Sequence, residues 1–277
     1  MKSYGERLAD VAAVRGRLCV GIDPHPEILA SWDLSLDATG LERCARGMVE
    51  ALGDLVPVFK PQSAFFEAHG SAGIAVLERT LTDISSSGAL SVLDVKRGDI
   101  GSTMAAYAEA YLADGSSLAA DAITLSPYLG FSSLDGAIDL AREHGRGVYV
   151  LALTSNPEGA QVQRATSPDG RTVGQLIIDE AASRNLGNGP GSVGVVVGAT
   201  ISAPYADFGK LNGSILAPGL GAQGATAEDL ARVFGSARVH VLPATSREVM
   251  RTGPIAARMR EAVRRALGEM ATALAVG

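Results

Sequence analysis

Cysteine, lysine and net positive charge are all scarce in this chain. Only two cysteines, Cys19 and Cys44, occur among 277 residues, so neither a disulfide framework nor a cysteine-based metal motif is available. Cys19 lies in an apolar, strand-like run and reads as a small core residue. The 30 acidic residues outnumber the 24 basic ones, leaving a net charge of -6. With an isoelectric point near 5.3, the chain lacks the basic excess that a nucleic-acid binder presents. No apolar run approaches the roughly 18 residues that a membrane span requires. The opening segment, MKSYGERLADVAAVRGR, carries charges where a signal peptide needs its apolar stretch, which predicts a cytoplasmic protein.

What is present is apolar and periodic. Hydrophobic residues make up 47% of the chain and charged ones 19%, the balance of a globular protein with a sizeable core. Strand-like runs are read at 18–23, 56–61, 90–96, 122–127, 148–155, 193–200, 215–219 and 239–246. Most are continuously apolar, as parallel strands covered on both faces are. Helical periodicity falls between them, in LERCARGMVEALGDL, AGIAVLERTLTDISSSG, MAAYAEAYLADG and AEDLARVFG, and a terminal helix IAARMREAVRRALGEMATALA follows the eighth run. Eight strand–helix units predict a (β/α)8 TIM barrel, one domain over residues 1–277. A doubly wound open sheet is the alternative. The longest irregular stretch, 156–172, is expected to be an insertion or an active-site loop.

In such barrels the working end is where the strands finish. The residues there are Asp23, Lys60, Asp94 with Lys96, Thr124 to Pro127, Ser155, Thr200, the loop PGLGAQG, and Ser246 with Arg247. Ionisable groups from several strands therefore converge on one rim. Lysine is the minor cation here, four residues against a background of arginine. Yet Lys60 and Lys96 both end strands, and lysine is the cation whose proton affinity burial tunes most readily.

Two chemistries are legible at that rim. Towards the last strands, APGLGAQGAT places Gly219, Gly221 and Gly224 in a turn whose N–H groups can face an anion. Arg247 follows one strand later as a bidentate donor, so this end predicts a phosphate site. The other end is VLDVKRGDIGST (92–103). Here Asp94 and Lys96, two apart, share one face of a strand, and Lys60 ends the neighbouring one. Taken alone, the segment could be an ion pair followed by a helix N-cap at Asp99. A carboxylate flanked by two ammonium groups is more than capping requires.

These segments resemble the orotidine 5'-phosphate decarboxylase family, in its longer-chain bacterial branch. The resemblance runs through GIDPHP, FKPQSAFFEAHG, LDVKRGDIGST, ITLSPYLG, TSNPEGAQVQ, APGLGAQG and PATSR, nearly the whole chain. It implies a (β/α)8 homodimer with shared active sites, acting on a small nucleotide without cofactor or metal. By resemblance, Lys96 protonates C6 of the pyrimidine, Asp94 faces the substrate carboxylate, and Lys60 links Asp94 to the ribose. Asp99 and Thr103 enter the partner's site, Asp23 binds a ribose hydroxyl, and Ser155 contacts the pyrimidine. Gly221 and Gln223, on a closing loop, and Arg247 bind the phosphate.

The chain departs from the family after strand five, where Ser155-Asn156-Pro157 stands in place of the common Ser-His-Pro. Gln161 and Gln163 are expected to face water, and His25 and His69 to be solvated or supporting. Three rivals are weighed against this reading. A magnesium-dependent sugar-phosphate decarboxylase or epimerase would place a metal-binding carboxylate where Lys60 stands. A non-catalytic nucleotide sensor would not need every ionic partner, and a Schiff-base aldolase would form a reducible adduct on Lys96.

Overall fold

A computed structural model of the protein describes residues 1–275 apart from 186, 188, 202–205 and 220–225. Eight parallel strands close into a barrel in chain order. They are β1 (Cys19–Ile22), β2 (Val58–Pro61), β3 (Leu90–Arg97), β4 (Ala122–Leu125), β5 (Gly147–Leu153), β6 (Gly191–Val197), β7 (Gly213–Pro218) and β8 (Val241–Thr245). The first strand pairs with the last, Cys19 opposite Ala244 and Val20 opposite Thr245, which removes both edges and the open-sheet alternative.

Each predicted helix forms, shifted by a few residues. The segments are Ala38–Leu52, Gly70–Ser86, Gly101–Leu112, Ala227–Phe234 and Ala256–Ala273. Local chemistry fixes several starts. Asp37 accepts from the N–H groups of Thr39 and Gly40, while Ser3 with Glu6 and Thr226 with Asp229 form capping boxes. The stretch 156–172 is less irregular than expected, containing a 3-10 turn Pro157–Gly159, a helical turn Ala160–Gln163 and a bridge from Thr166 to Thr172.

Two apolar layers result from the period-2 alternation of strand side chains. Outward residues such as Val20, Phe59, Leu93, Ile123 and Val195 pack against the helices. Inward residues, including Cys19, Val58, Val92, Ala122, Tyr149, Leu216 and Leu242, fill the barrel. The helix Tyr4–Arg15 seals the far end, where the Tyr4 and Tyr149 hydroxyls lie 3.0 Å apart and the rings meet edge to face. Gly5 permits that seal, because a Cβ there would stand 2.3 Å from the Pro190 carbonyl oxygen. Burial pushes the Cys19 and Cys44 thiols up to about 12, so both are inert packing groups, as expected for Cys19.

The same alternation explains the charges at the end of β3. Val92, Asp94 and Lys96 point inward in succession, and Val58 and Lys60 do so on β2. The apolar filling stops one layer below the rim, and ionisable side chains take the next inward positions.

Candidate active site

A cleft of about 430 Å³ opens at this end of the barrel. Its floor is apolar, formed by Leu151, Val196, Leu216 and Ala244, and its walls carry Asp23, Lys60, Asp94, Lys96, Thr124, Ser155 and Arg247. Those seven side chains come from six different strand ends. A constellation drawn from so many elements is fixed by the closed barrel rather than by any one loop.

At its centre, Asp94 lies between two ammonium groups. Lys60 Nζ donates to Asp94 Oδ2 at 3.0 Å, and Lys96 Nζ donates to Oδ1 at 2.6 Å. Thr124 adds a hydroxyl donor to Oδ1 at 2.8 Å. Lys60 and Asp94 are 7% and 8% exposed, whereas the Lys96 side chain is 46% exposed and reaches into the cleft. Burial alone would raise the Asp94 carboxyl. The charges of Lys60 and Lys96, with hydrogen bonds from Lys96 and Thr124, outweigh it and hold Asp94 well below the usual carboxylate range. Burial likewise opposes the Lys60 charge, but Asp94 and then Asp23 overcome it and keep the ammonium above the usual lysine range. Asp94 and Lys60 are thus both ionised at neutral pH.

Asp23 extends the array on the β1 side. Its Oδ1 lies 3.9 Å from Lys60 Nζ, beyond hydrogen-bond distance, and takes no hydrogen bond from the described residues although it is buried. A buried acceptor of this kind is suited to a ligand hydroxyl.

The backbone at Lys96 is strained. Its φ is +45°, a left-handed conformation that costs a non-glycine residue about 1–3 kcal/mol and tends to occur at functional sites. The strain coincides with a bulge. The β3–β4 pairing runs from Leu93 opposite Ile123 directly to Arg97 opposite Leu125, so Asp94, Val95 and Lys96 together face Thr124. Beyond the bulge, Arg97 is clamped by Glu67 at 2.7 Å and lies over the rings of Tyr107 and Tyr111.

The remaining expected residues divide into three groups. Ser155 and Arg247 line the same cleft. Asp99 and Thr103 do not line it, since Asp99 is half-buried in the loop after β3 and Thr103 is exposed on the helix Gly101–Leu112. Nor is Asp99 the cap of that helix, whose N-cap is Ile100; Asp99 Oδ1 instead accepts from the Ile100 N–H at 2.8 Å. Gly221 and Gln223, with Gly224, lie outside the described residues.

Three side chains carry more weight than their sequence suggested. Gln163, expected to face water, braces the end of β5: its Oε1 accepts from Thr154 N–H at 2.8 Å and its Nε2 donates to Thr154 Oγ1 at 2.7 Å. Gln161 is exposed, as expected. His25 lines the cleft, stacked edge to face on Phe65 at 4.3 Å. Gln62 joins that wall two residues past Lys60, a position that strand register alone could have marked.

Replacing Lys60 by methionine tests the electrostatic balance. Removing one partner of a buried ion pair should destabilise the fold by about 3 kcal/mol at neutral pH. The sign of the pH dependence follows from Asp94, whose folded-state affinity for a proton is depressed. Its contribution is present above the unfolded carboxyl value of about 4 and is lost as pH falls toward the folded value. Lys60→Met raises that folded value, so the stability gap between the two proteins should narrow below about pH 4. Urea unfolding of both proteins at neutral and acid pH measures it; a gap independent of pH contradicts the assignment.

Comparison with known proteins bears on the fold and the family. The orotidine 5'-phosphate decarboxylase / HUMPS family matches residues 16–262. The orotidine 5'-phosphate decarboxylase of Salinispora arenicola (strain CNS-205) is 58% identical over 275 residues, covering 99% of each chain. That of Streptomyces coelicolor is 54% identical over 277 residues, again covering 99% of each. A crystal structure described as an orotidine 5'-phosphate decarboxylase from Streptomyces avermitilis superposes with a TM-score of 0.96 at 53% identity, covering 100% of this chain and 97% of that one. A barrel whose strand ends gather a hydrogen-bonded Lys60–Asp94–Lys96 array, matched over nearly its whole length by these relatives, belongs to the orotidine 5'-phosphate decarboxylase family.

Proposed function

We propose that the chain, as a single barrel domain, carries out its family's reaction in this cleft. It converts orotidine 5'-phosphate to UMP and carbon dioxide, the last step of de novo UMP synthesis. The observation that carries the assignment of residues is Asp94, held ionised between Lys60 and Lys96 at the mouth of an apolar barrel.

Loss of carbon dioxide from C6 leaves a vinylic carbanion with no cofactor to accept its electrons. The Lys96 ammonium, half-exposed toward the cleft, is the group that stabilises this charge and then protonates C6. It needs no reorganisation to do so, because Asp94 already fixes its position. Asp94 faces the substrate carboxylate. Two unit charges about 4 Å apart interact by only about 4 kcal/mol at an effective dielectric near 20. Lowering a difficult barrier takes roughly 20 kcal/mol, so carboxylate repulsion is a minor contribution. Remote binding energy supplies more by orienting the reacting atoms.

That remote binding falls to the other wall. Asp23 Oδ1, buried and without a hydrogen bond from the described residues, accepts from a ribose hydroxyl, and Lys60 spans between it and Asp94. Ser155 meets the pyrimidine. Arg247, at the start of the helix Arg247–Met250 after β8, binds the phosphate together with Gly221 and Gln223.

The reaction uses neither a metal nor a cofactor. Lys60 puts a positive charge where the metal-dependent relatives hold a cation. Among the described residues, no three His, Cys, Asp or Glu side chains are grouped to coordinate one. The enzyme works in the cytoplasm as a homodimer in which Asp99 and Thr103 complete the partner's cleft. In support, both sit beside the cleft rather than in it, and apolar Ile100, Tyr128 and Leu129 are exposed on the loops after β3 and β4 at 61%, 78% and 51%, a surface suited to burial between subunits.

Two measurements test this reading. Turnover of orotidine 5'-phosphate, followed by loss of the orotate chromophore, should survive exhaustive dialysis against EDTA. Inactivation that magnesium reverses would move the chain to the metal-dependent chemistry. For the shared site, Lys96→Ala and Asp99→Ala homodimers should each be nearly inactive. After subunit exchange in equal amounts, about half the dimers are mixed and each holds one intact site, so about a quarter of wild-type activity should return. Continued inactivity, with exchange demonstrated independently, would show that both residues serve one site from one chain.

A further inference from the structure

Thr124, in the cleft wall, is 1% exposed and touches the array twice. Its Oγ1 accepts the Lys96 backbone N–H at 2.9 Å and donates to Asp94 Oδ1 at 2.8 Å. We infer that Thr124 is a positioning residue for decarboxylation, whose hydroxyl holds the bulged backbone of Lys96 and the carboxylate of Asp94 in one fixed geometry. This rests on the assignment of Asp94 and Lys96 as the reacting pair.

The bulge explains why a side chain is needed here. Three residues of β3 face Thr124 alone, so the regular ladder is interrupted at Lys96. A bulge leaves backbone groups without ladder partners, and a buried N–H must find an acceptor elsewhere. The Thr124 hydroxyl takes that place. Because Lys96 also has φ +45°, the bond restrains the residue at the point where its conformation is least favourable.

The hydroxyl also has a defined direction. It carries one proton and two lone pairs. With a lone pair committed to the Lys96 N–H, the proton is directed at Asp94 Oδ1, an oxygen that also receives Lys96 Nζ at 2.6 Å. Lys96 is therefore held at both ends, its amide by Thr124 and its ammonium by the carboxylate that Thr124 orients. The ring Thr124–Asp94–Lys96 fixes the ammonium relative to the strand, and Lys60 closes the remaining oxygen of Asp94 at 3.0 Å.

Valine keeps the shape of threonine and removes the hydroxyl; serine keeps the hydroxyl and removes a methyl. Thr124→Val should lower kcat on orotidine 5'-phosphate by about ten- to a hundredfold, the loss expected for one hydrogen bond to an ionised group. KM should stay within about threefold, because Thr124 orients the reacting pair without holding the phosphate. Thr124→Ser should return kcat to within about threefold of wild type. In the wild-type protein, the Lys96 amide should exchange with solvent as slowly as the neighbouring ladder amides of β3. A Thr124→Val enzyme with wild-type kcat, a serine variant as impaired as the valine one, or a Lys96 amide exchanging at loop rates would each overturn the inference. The amide measurement decides even where the valine variant fails to fold. Lys96→Ala separates the two levels: if it is inactive while Thr124→Val is fully active, only the role of Thr124 fails. If Lys96→Ala retains activity, the assignment of the reacting pair falls and this inference with it.

Discussion

One buried carboxylate governs the architecture of the working end. Asp94 accepts hydrogen bonds from Lys60, Lys96 and Thr124, which come from three consecutive barrel strands. Two cations and the carboxylates of Asp94 and Asp23 are held partly out of water, a costly arrangement unless each partner is rigidly placed. The closed barrel provides that rigidity, since none of the three strands can shift without disturbing the register of both its neighbours. Lys96, 46% exposed, is the member of the array that remains open to the cleft.

Strain and packing converge on the same residue. Lys96 is inward-facing by strand alternation, yet it occupies a left-handed backbone conformation within a bulge. The bulge lets Asp94 and Lys96, two positions apart, meet through their side chains. Its cost is offset by the surroundings: Arg97 anchored on Glu67 and the two tyrosine rings on one side, the Ser126 N–H donating to the Arg97 carbonyl at 2.7 Å on the other. Backbone strain at Lys96 is carried by a rigid frame around it, the arrangement expected where geometry rather than flexibility matters.

The fold and most of the cleft were legible in the sequence because both rest on local patterns. Apolar strands separated by amphipathic helices announce the barrel, and strand register then locates Asp23, Lys60, Asp94, Lys96, Ser155 and Arg247 at one rim. What register could not reveal was deviation from regularity. The bulge that sets Thr124 against three residues has no marker in ITLSPYLG, and the two hydrogen bonds between Gln163 and Thr154 depend on how the 156–172 stretch folds back. Asp99 looked equally suited to capping a helix, but the helix starts two residues later and leaves it beside the subunit's own cleft. Gly221 and Gln223, expected to bind phosphate, lie outside the described residues, and that expectation rests on the sequence pattern alone.

Lys60 and Lys96 together keep Asp94 ionised inside the barrel mouth. Labelling the aspartate carboxyl carbons with carbon-13 and following the Asp94 resonance across pH tests this most directly. The shift should remain that of a carboxylate at pH values well below the ordinary aspartate midpoint of about 4, down to the onset of acid unfolding. A titration of Asp94 at or above that ordinary value in the folded protein would contradict the account.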